Sequence, residues 1–572
     1  MKGGLPSLRV LRQFLFVPSV LNSSAMAERE KLNKIAEAII GAAMVLPATQ
    51  IQPLPNARSR RPPQRYTLVG WPGGPSTSKE EVSMNRRKHS NDKSGEPAPA
   101  LDRRGFLTAA TGLASAALWA KGAEGEGAPA RVDPASAAAH PGLTGRPAAA
   151  TLAIDGGTPV RSTKLDTNFP GPLYYDHEER RELLEVLDRR APFRWYGIGP
   201  KGGDPDKCNH FEKEFAAHRH TKYCVAVTSG TAALVTAVAA LGAGPGDEVI
   251  LPAWTWYSCY DAIIAAGATP VFAEIDDSMN IDPADLERRI TPRTKIIMAV
   301  HIMGEPADMD SILAIARQHR LKVLEDGAQS LGATYKGRPL GSMGDCGIYS
   351  FQLCKTISAG EGGAVVTNDP DVFERAARIH DLGQLRDPHA ATLGRPARLD
   401  MLAGFNFRMN EYTGAVMRAQ LRKLDRIVAD FRDKGTRVTE GIQDLPGIQF
   451  RKLSDPQGGL RSSVYFRTGG KAQRDRFIKA LQAENVPATE MEGSVLLPLE
   501  SFIEKKQTVE GGWPSFASAE QKAISYGSGC CPRSIDIWER YVGVGMDPKY
   551  SDQDVADIIA AVRKVYPVVM KT

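Results

Sequence analysis

Lys355 closes the run "GIYSFQLCK", and a glycine-rich turn and a second apolar run, "GGAVVTND", follow it. A lysine at the end of a buried strand has its ammonium partly desolvated. Burial lowers its pKa and makes the amine nucleophilic, able to form Schiff bases with carbonyl compounds. Taken alone, a lysine that opens a turn reads first as a solvated surface charge. Asp326, in "VLEDGAQSLGA", follows an apolar run and so stands at the carboxyl end of a strand, the edge where open α/β sheets bind ligands. By itself it reads as a helix cap. In "TSGTAAL", Thr228 to Leu234, a strand gives way to a helix through Ser229-Gly230-Thr231. Free amides at a helix start and a side-chain-free glycine suit a phosphate, although a plain N-cap has the same spelling.

In combination the three change meaning. A phosphate-cradling turn, a strand-end acid and a strand-end lysine, in that order on an α/β chain, are the parts a protein uses to hold pyridoxal phosphate. The acid keeps the pyridine nitrogen protonated; the lysine bonds the cofactor and then shuttles a proton. Trp256, in "LPAWTWYSCYDAI", follows another strand, where it could stack on the ring or pack in the core. Gln329 lies one turn beyond Asp326.

The elements that must position these residues begin near Thr151. "KYCVAVTSGTAALVTAVAALGAGPGDEVILPAW" reads strand, turn, helix, turn, strand, and "TPVFAEID", "TKIIMAVHIMG" and "GIYSFQL" continue the alternation. Continuous short apolar runs separated by helices predict strands buried on both faces, hence an α/β layered domain with a largely parallel sheet. Residues 411–442 carry Ala415, Met417, Leu421, Leu424 and Ile427 at helical spacing and lead towards a smaller C-terminal domain. The expected division is a large domain over 151–430 and a small one over 431–572.

The first 150 residues differ. Segments such as "LPNARSRRPPQRY" cannot bury enough apolar surface to offset chain entropy, so residues 1–100 read as a disordered leader or an over-extended start, with Met84 as an alternative first residue. Within 101–123, Arg103 and Arg104 precede Phe106, Leu107 and a run of small apolar residues too short to span a bilayer. This resembles a twin-arginine export signal and implies a periplasmic protein; without it the expectation is cytoplasmic. Residues 124–150 then form a linker. The net charge of +6 is small for 572 residues, is concentrated in the N-terminal arm and says little about nucleic acid; no nucleic-acid partner is expected. Seven scattered cysteines without metal spacing read as reduced thiols, with no structural metal expected.

The stretch from Thr151 onward resembles the DegT/DnrJ/EryC1/StrS family of pyridoxal-phosphate sugar aminotransferases, through "FEKEFAAHRHTKYCVAVTSGTAAL", "GDEVILPAWTW", "VLEDGAQSLGATYKGRPLGSMGDCGIYSFQLCKTISAGEGGAVVTND" and "GFNFRMNEYTGAVMRAQLRKLD". The resemblance implies the aspartate-aminotransferase-like fold, fold type I, and a homodimer with shared active sites. It implies Lys355 as Schiff-base lysine, Asp326 on the pyridine nitrogen and Trp256 on the ring face. Gln329 is implied near the ring hydroxyl, and Gly230, Thr231 and Ser350 on the phosphate. Asn406 is implied to reach the phosphate from the neighbouring subunit. The chain departs from the family pattern at Cys354, at Met303 in "VHIMG" where tyrosine is common, and in the long turn "GIGPKGGDPDKCNHFE". A relative of the same fold that acts as a dehydratase has histidine in place of the lysine. The opening "LAIDGGTPVR" resembles the branch of glutamine:scyllo-inosose aminotransferases and aminohydroxybenzoate synthase. The expected activity is transfer of an amino group from glutamate or glutamine to a keto-sugar or cyclitol ketone. The alternatives are another pyridoxal-phosphate reaction, such as dehydration or aromatisation, and a non-catalytic ligand-binding descendant.

Overall fold

The computed structural model describes residues 151–165, 174–195, 206–491, 493–508 and 514–571. The twin-arginine-like segment, Met84 and all of the "GIGPKGG" turn lie outside the described residues.

Seven strands form one sheet, in the order Tyr223–Val227, Gly363–Thr367, Cys346–Ser350, Lys322–Asp326, Thr294–Val300, Glu248–Pro252, Thr269–Ala273. Every neighbouring pair is parallel except the two made by Gly363–Thr367, which runs antiparallel to both its neighbours. The expected largely parallel sheet is therefore present. The exception arises because Cys346–Ser350 returns through a short hairpin, which can join only antiparallel strands.

Alternate residues along each strand enter two separate cores. Cys224, Ala226, Ile297, Ala299, Val323 and Tyr349 pack on the face shared with the long helix Glu411–Ile442. Val225, Val227, Ile296, Met298, Leu324 and Ile348 pack on the opposite face, with the helix Gly230–Ala240. Both faces are covered, so both sets must be apolar, and the runs read as continuous hydrophobic stretches. Each buried Val or Ile contributes roughly 1.5–3 kcal/mol of transfer free energy.

Helix Glu411–Ile442 starts at Asn410, whose side chain accepts the Thr413 N–H, and runs on to the C-terminal part of the chain. There Ser463–Arg467 pairs antiparallel with Tyr541–Gly545, flanked by helices Lys471–Ala483 and Asp552–Val569. Ser551 caps the last helix, accepting the Asp554 N–H at 3.2 Å. One segment of this part returns to the large layer: Val495–Leu496 pairs antiparallel with Trp254–Thr255. Among the described residues no helix is long and apolar enough to cross a membrane.

Candidate active site

The parallel strands end together at one edge of the sheet, and that edge opens into a cavity of about 450 Å³ lined by Gly230, Thr231, Trp256, Asp326, Gln329, Ser350 and Lys355. Seven of the eight residues singled out in the sequence thus meet at one place. Asn406 does not line this cavity. It is exposed, and its backbone pairs with Asp381.

Ser229 is extended and its hydroxyl accepts the Ala232 N–H at 3.0 Å, which starts the helix at Gly230. Gly230 and Thr231 are the first two helical residues, whose N–H groups have no acceptor within a helix. Gly230 lies hard against Ser350: a Cβ there would stand 2.6 Å from Ser350 Cβ and 2.9 Å from its Oγ. The Thr231 hydroxyl shares a hydrogen bond with that of Ser258 at 2.7 Å. Two backbone amides at the positive end of a helix dipole, with hydroxyls beside them, form a donor set for a phosphate.

Asp326 ends the central strand Lys322–Asp326 and is only 4% exposed. Its Oδ1 accepts the Ala328 N–H at 2.9 Å and its Oδ2 accepts the Cys259 thiol at 3.3 Å. Burial pushes its pKa up, against the pull of these donors and of Lys355. A carboxylate so placed is stabilised by a cation, and a protonated pyridine nitrogen is one. Trp256 is 50% exposed at the start of the helix Tyr257–Ala265, so one face of its ring is available to a ligand. The residues present therefore fit pyridoxal phosphate: a phosphate cradle that a Cβ would fill, a buried acid lacking a full countercharge, and an open aromatic face.

Lys355 stands elsewhere than its strand-end reading placed it. The strand stops at Ser350, and Lys355 lies in the hairpin turn beyond. The Phe351 N–H donates to Gly362 O at 2.8 Å, and the Leu353 N–H to Gly360 O at 3.1 Å, closing the loop. The Lys355 N–H donates to Gln352 O at 2.9 Å, which folds residues 352–355 into a turn. Its ammonium is nonetheless half-buried at the mouth of the cavity. Burial lowers its pKa, with Asp326 the main opposing influence.

Gln329 lines the cavity with its amide engaged on protein. Its Oε1 accepts the Met303 N–H at 3.0 Å, and its Nε2 donates to Gly493 O at 3.1 Å and to Ser494 Oγ at 2.9 Å. Sequence reading missed Cys259, Ser258, Glu361 and Gly493, which also line the site. Cys259 was within reach: it lies one helical turn beyond Trp256. Gly493 carries no local signal, because it arrives with the returning segment.

The model of the DegT/DnrJ/EryC1/StrS aminotransferase family matches residues 203–563, and the chain belongs to that family. It is accordingly a pyridoxal-phosphate-dependent aminotransferase of fold type I. Among its relatives, an L-glutamine:2-deoxy-scyllo-inosose aminotransferase of Streptoalloteichus tenebrarius is 37% identical over 57% of this chain and 75% of that protein. A GDP-perosamine synthase of Caulobacter vibrioides is 43% identical over 48% of this chain and 72% of that protein. The crystal structure of 3-amino-5-hydroxybenzoic acid synthase, 29% identical, superposes with a TM-score of 0.59 over 71% of this chain and 100% of that one.

Proposed function

We propose that this enzyme moves an amino group from glutamine or glutamate to a ketone on a sugar or cyclitol ring, either a scyllo-inosose-like ketone or a nucleotide-linked keto-sugar. The observation that carries the reading is the single cavity in which Lys355, Asp326 and the Gly230–Ser350 cradle face one another. The relatives that act on scyllo-inosose and make GDP-perosamine support the substrate class.

When bound, pyridoxal phosphate supplies an electron sink for the carbon that gains or loses the amino group. Gly230 and Thr231 would donate N–H groups to its phosphate, with the Thr231 and Ser350 hydroxyls beside them. Asp326 would face the pyridine nitrogen and hold its proton there. Trp256 would cover one ring face and exclude water from it. Lys355 would hold the cofactor through Nζ and would be the group that gives and takes a proton at that atom; burial, which lowers its pKa, favours the free amine.

The same reading has two chains sharing each site, with Asn406 reaching the partner's phosphate. Leu382, Met401 and Phe405 are large, apolar and exposed around the Asp381–Asn406 bridge, which supports a subunit contact there. It also takes residues 101–123 as a twin-arginine signal that exports the folded, cofactor-loaded protein, and 430/431 as the domain boundary. The visible absorbance of the holoenzyme tests the donor half. Glutamine or glutamate should bleach it, and the correct ketone should restore it. A spectrum that neither amino acid changes would sink the donor assignment. A screen of scyllo-inosose and nucleotide-linked keto-sugars then identifies the acceptor.

A further inference from the structure

Lys355 stands on a partition between two cavities. On one side is the cavity that fits the cofactor. On the other is an annex of about 300 Å³, which shares Lys355, Cys354, Gln329, Ala328 and Gly493 with it. The annex brings together residues far apart in sequence: Met303, Phe431, Leu460 and Met546 give apolar surface, and Ser462 and Ser463 bring hydroxyls. A polyhydroxylated ring has this mixed character, apolar C–H faces within a rim of hydroxyls.

Met303 is held here in an unusual way. Its backbone is left-handed, φ 51° and ψ 45°, a conformation that methionine rarely adopts and that persists only where the surroundings enforce it. Three contacts enforce it. Its N–H donates to Gln329 Oε1 at 3.0 Å, its carbonyl accepts the Ser462 hydroxyl at 3.2 Å, and the next carbonyl, of Gly304, accepts the Leu460 N–H at 2.9 Å. The other end of the Gln329 amide donates to Gly493 O and Ser494 Oγ. Gly493 has φ +78°, and a Cβ on it would stand 2.8 Å from Met303 Sδ. The Met303 backbone is thus pinned from the large layer by Gln329, and its thioether occupies the space that a side chain at Gly493 would need.

We propose that Met303, locked by Gln329 against Gly493, forms the wall that sets the size of ketone the annex admits beside Lys355. Met303 is the specificity-determining residue and Gln329 acts through it as a positioning residue. The inference rests on the aminotransferase reading above, and it concerns which acceptor fits, not whether transfer occurs. A thioether held over this space on a pinned backbone narrows the annex, whereas a shorter side chain leaves room. One methylene in an apolar pocket already changes discrimination by 10–200-fold.

The test compares kcat/KM for a cyclitol ketone and for the same ketone bearing one O-methyl group. The wild-type enzyme should prefer the smaller ketone. Met303→Ala should cut that preference at least tenfold, Gln329→Ala should shift it in the same direction, and Met303→Leu, of similar bulk, should hold it within about threefold. If Met303→Ala does not fold, Met303→Gly, which suits the left-handed backbone, makes the same comparison. A preference that Met303→Ala leaves unchanged or strengthens, in an enzyme whose absorbance is still bleached by amino donor, overturns the inference and leaves the function standing. A wild-type enzyme that no amino donor bleaches overturns the function itself.

Discussion

Asp326 and Lys355 face one cavity, and it displaces both towards neutrality, in opposite directions: burial raises the pKa of the carboxyl and lowers that of the ammonium. Each charge partly relieves the other, yet burial remains the larger influence on both. In the cofactor-free protein the pair is therefore a stability cost retained for chemistry.

Lys355→Met should remove turnover, by at least about a thousandfold, because the nucleophile and the proton carrier are lost together. It should also stabilise the cofactor-free protein. The unfolded lysine keeps its proton up to its ordinary value of 10.5, while the folded one releases it earlier. Between those values the unfolded state binds more protons, so wild-type stability rises with pH and the advantage of the variant shrinks. Thermal melts of the two apo proteins across that range check the sign. Equal melting temperatures at neutral pH would mean that Lys355 is solvated, and near-wild-type transamination would remove its catalytic role.

Asp326→Asn should retain pyridoxal phosphate and slow the donor half-reaction by about 10²–10⁴-fold, since an amide cannot hold the pyridine nitrogen protonated. Its stability effect has the opposite pH sense. Between the ordinary 3.8 and its raised folded value, the native carboxyl binds more protons than the unfolded one, so wild-type stability falls as pH rises through that window. At neutral pH the apo variant should melt above wild type. A half-reaction at the wild-type rate would leave Asp326 with a structural role only.

Much of this site was legible because its parts sit at strand ends, where apolar runs stop abruptly. The runs before Asp326 and Trp256, and the "TSGT" turn, each mark the sheet edge without help from distant residues. What stayed hidden depends on contacts across hundreds of positions. Gln329 was readable as a residue near the cofactor, but its grip on Met303 and Gly493 exists only once the C-terminal part folds back. The antiparallel strand Gly363–Thr367 is another case: buried on both faces, it has the apolar run of a parallel strand, and only the short hairpin before it betrays its direction. That hairpin also holds Lys355, which hydrophobicity alone had extended the strand to reach.

Gly230→Ala tests the cradle. Alanine suits a helix better than glycine, by up to about 1 kcal/mol, but its Cβ would stand 2.6 Å from Ser350 Cβ, and overpacking costs about 1–3 kcal/mol. The variant should melt below wild type and bind pyridoxal phosphate at least tenfold more weakly. Adding Ser350→Gly removes the obstructing atoms, so the double variant should recover part of its melting temperature without recovering cofactor affinity. Additive losses in melting temperature would mean that the two positions do not press on each other.

Export is open to a direct measurement. If residues 101–123 act as the export signal proposed above, Arg103→Lys with Arg104→Lys, in the form that starts at Met84, should shift the protein from the periplasmic to the cytoplasmic fraction. Fractionation followed by an absorbance spectrum of each pool reports both location and cofactor loading. Identical distribution of mutant and parent would remove the signal assignment.

Asn406 does not line the cavity of its own chain, and the two-chain reading proposed above has it reach the site of a partner. A phosphate dianion takes several donors, and a hydrogen bond to it from a second chain contributes about 1.5–3 kcal/mol. Asn406→Ala should therefore weaken cofactor affinity by roughly 10–150-fold. Mixed dimers make the argument sharper. Lys355→Ala chains and Asn406→Ala chains each form only defective sites. In a heterodimer, one site pairs the intact Lys355 of the Asn406→Ala chain with the intact Asn406 of its partner, so that site is whole. The other site carries both defects. Mixing the two preparations under exchange conditions should restore activity above the sum of the parts at low cofactor concentration. If subunit exchange is verified, Asn406→Ala alone is measurably weak and no activity returns, Asn406 serves the site of its own chain.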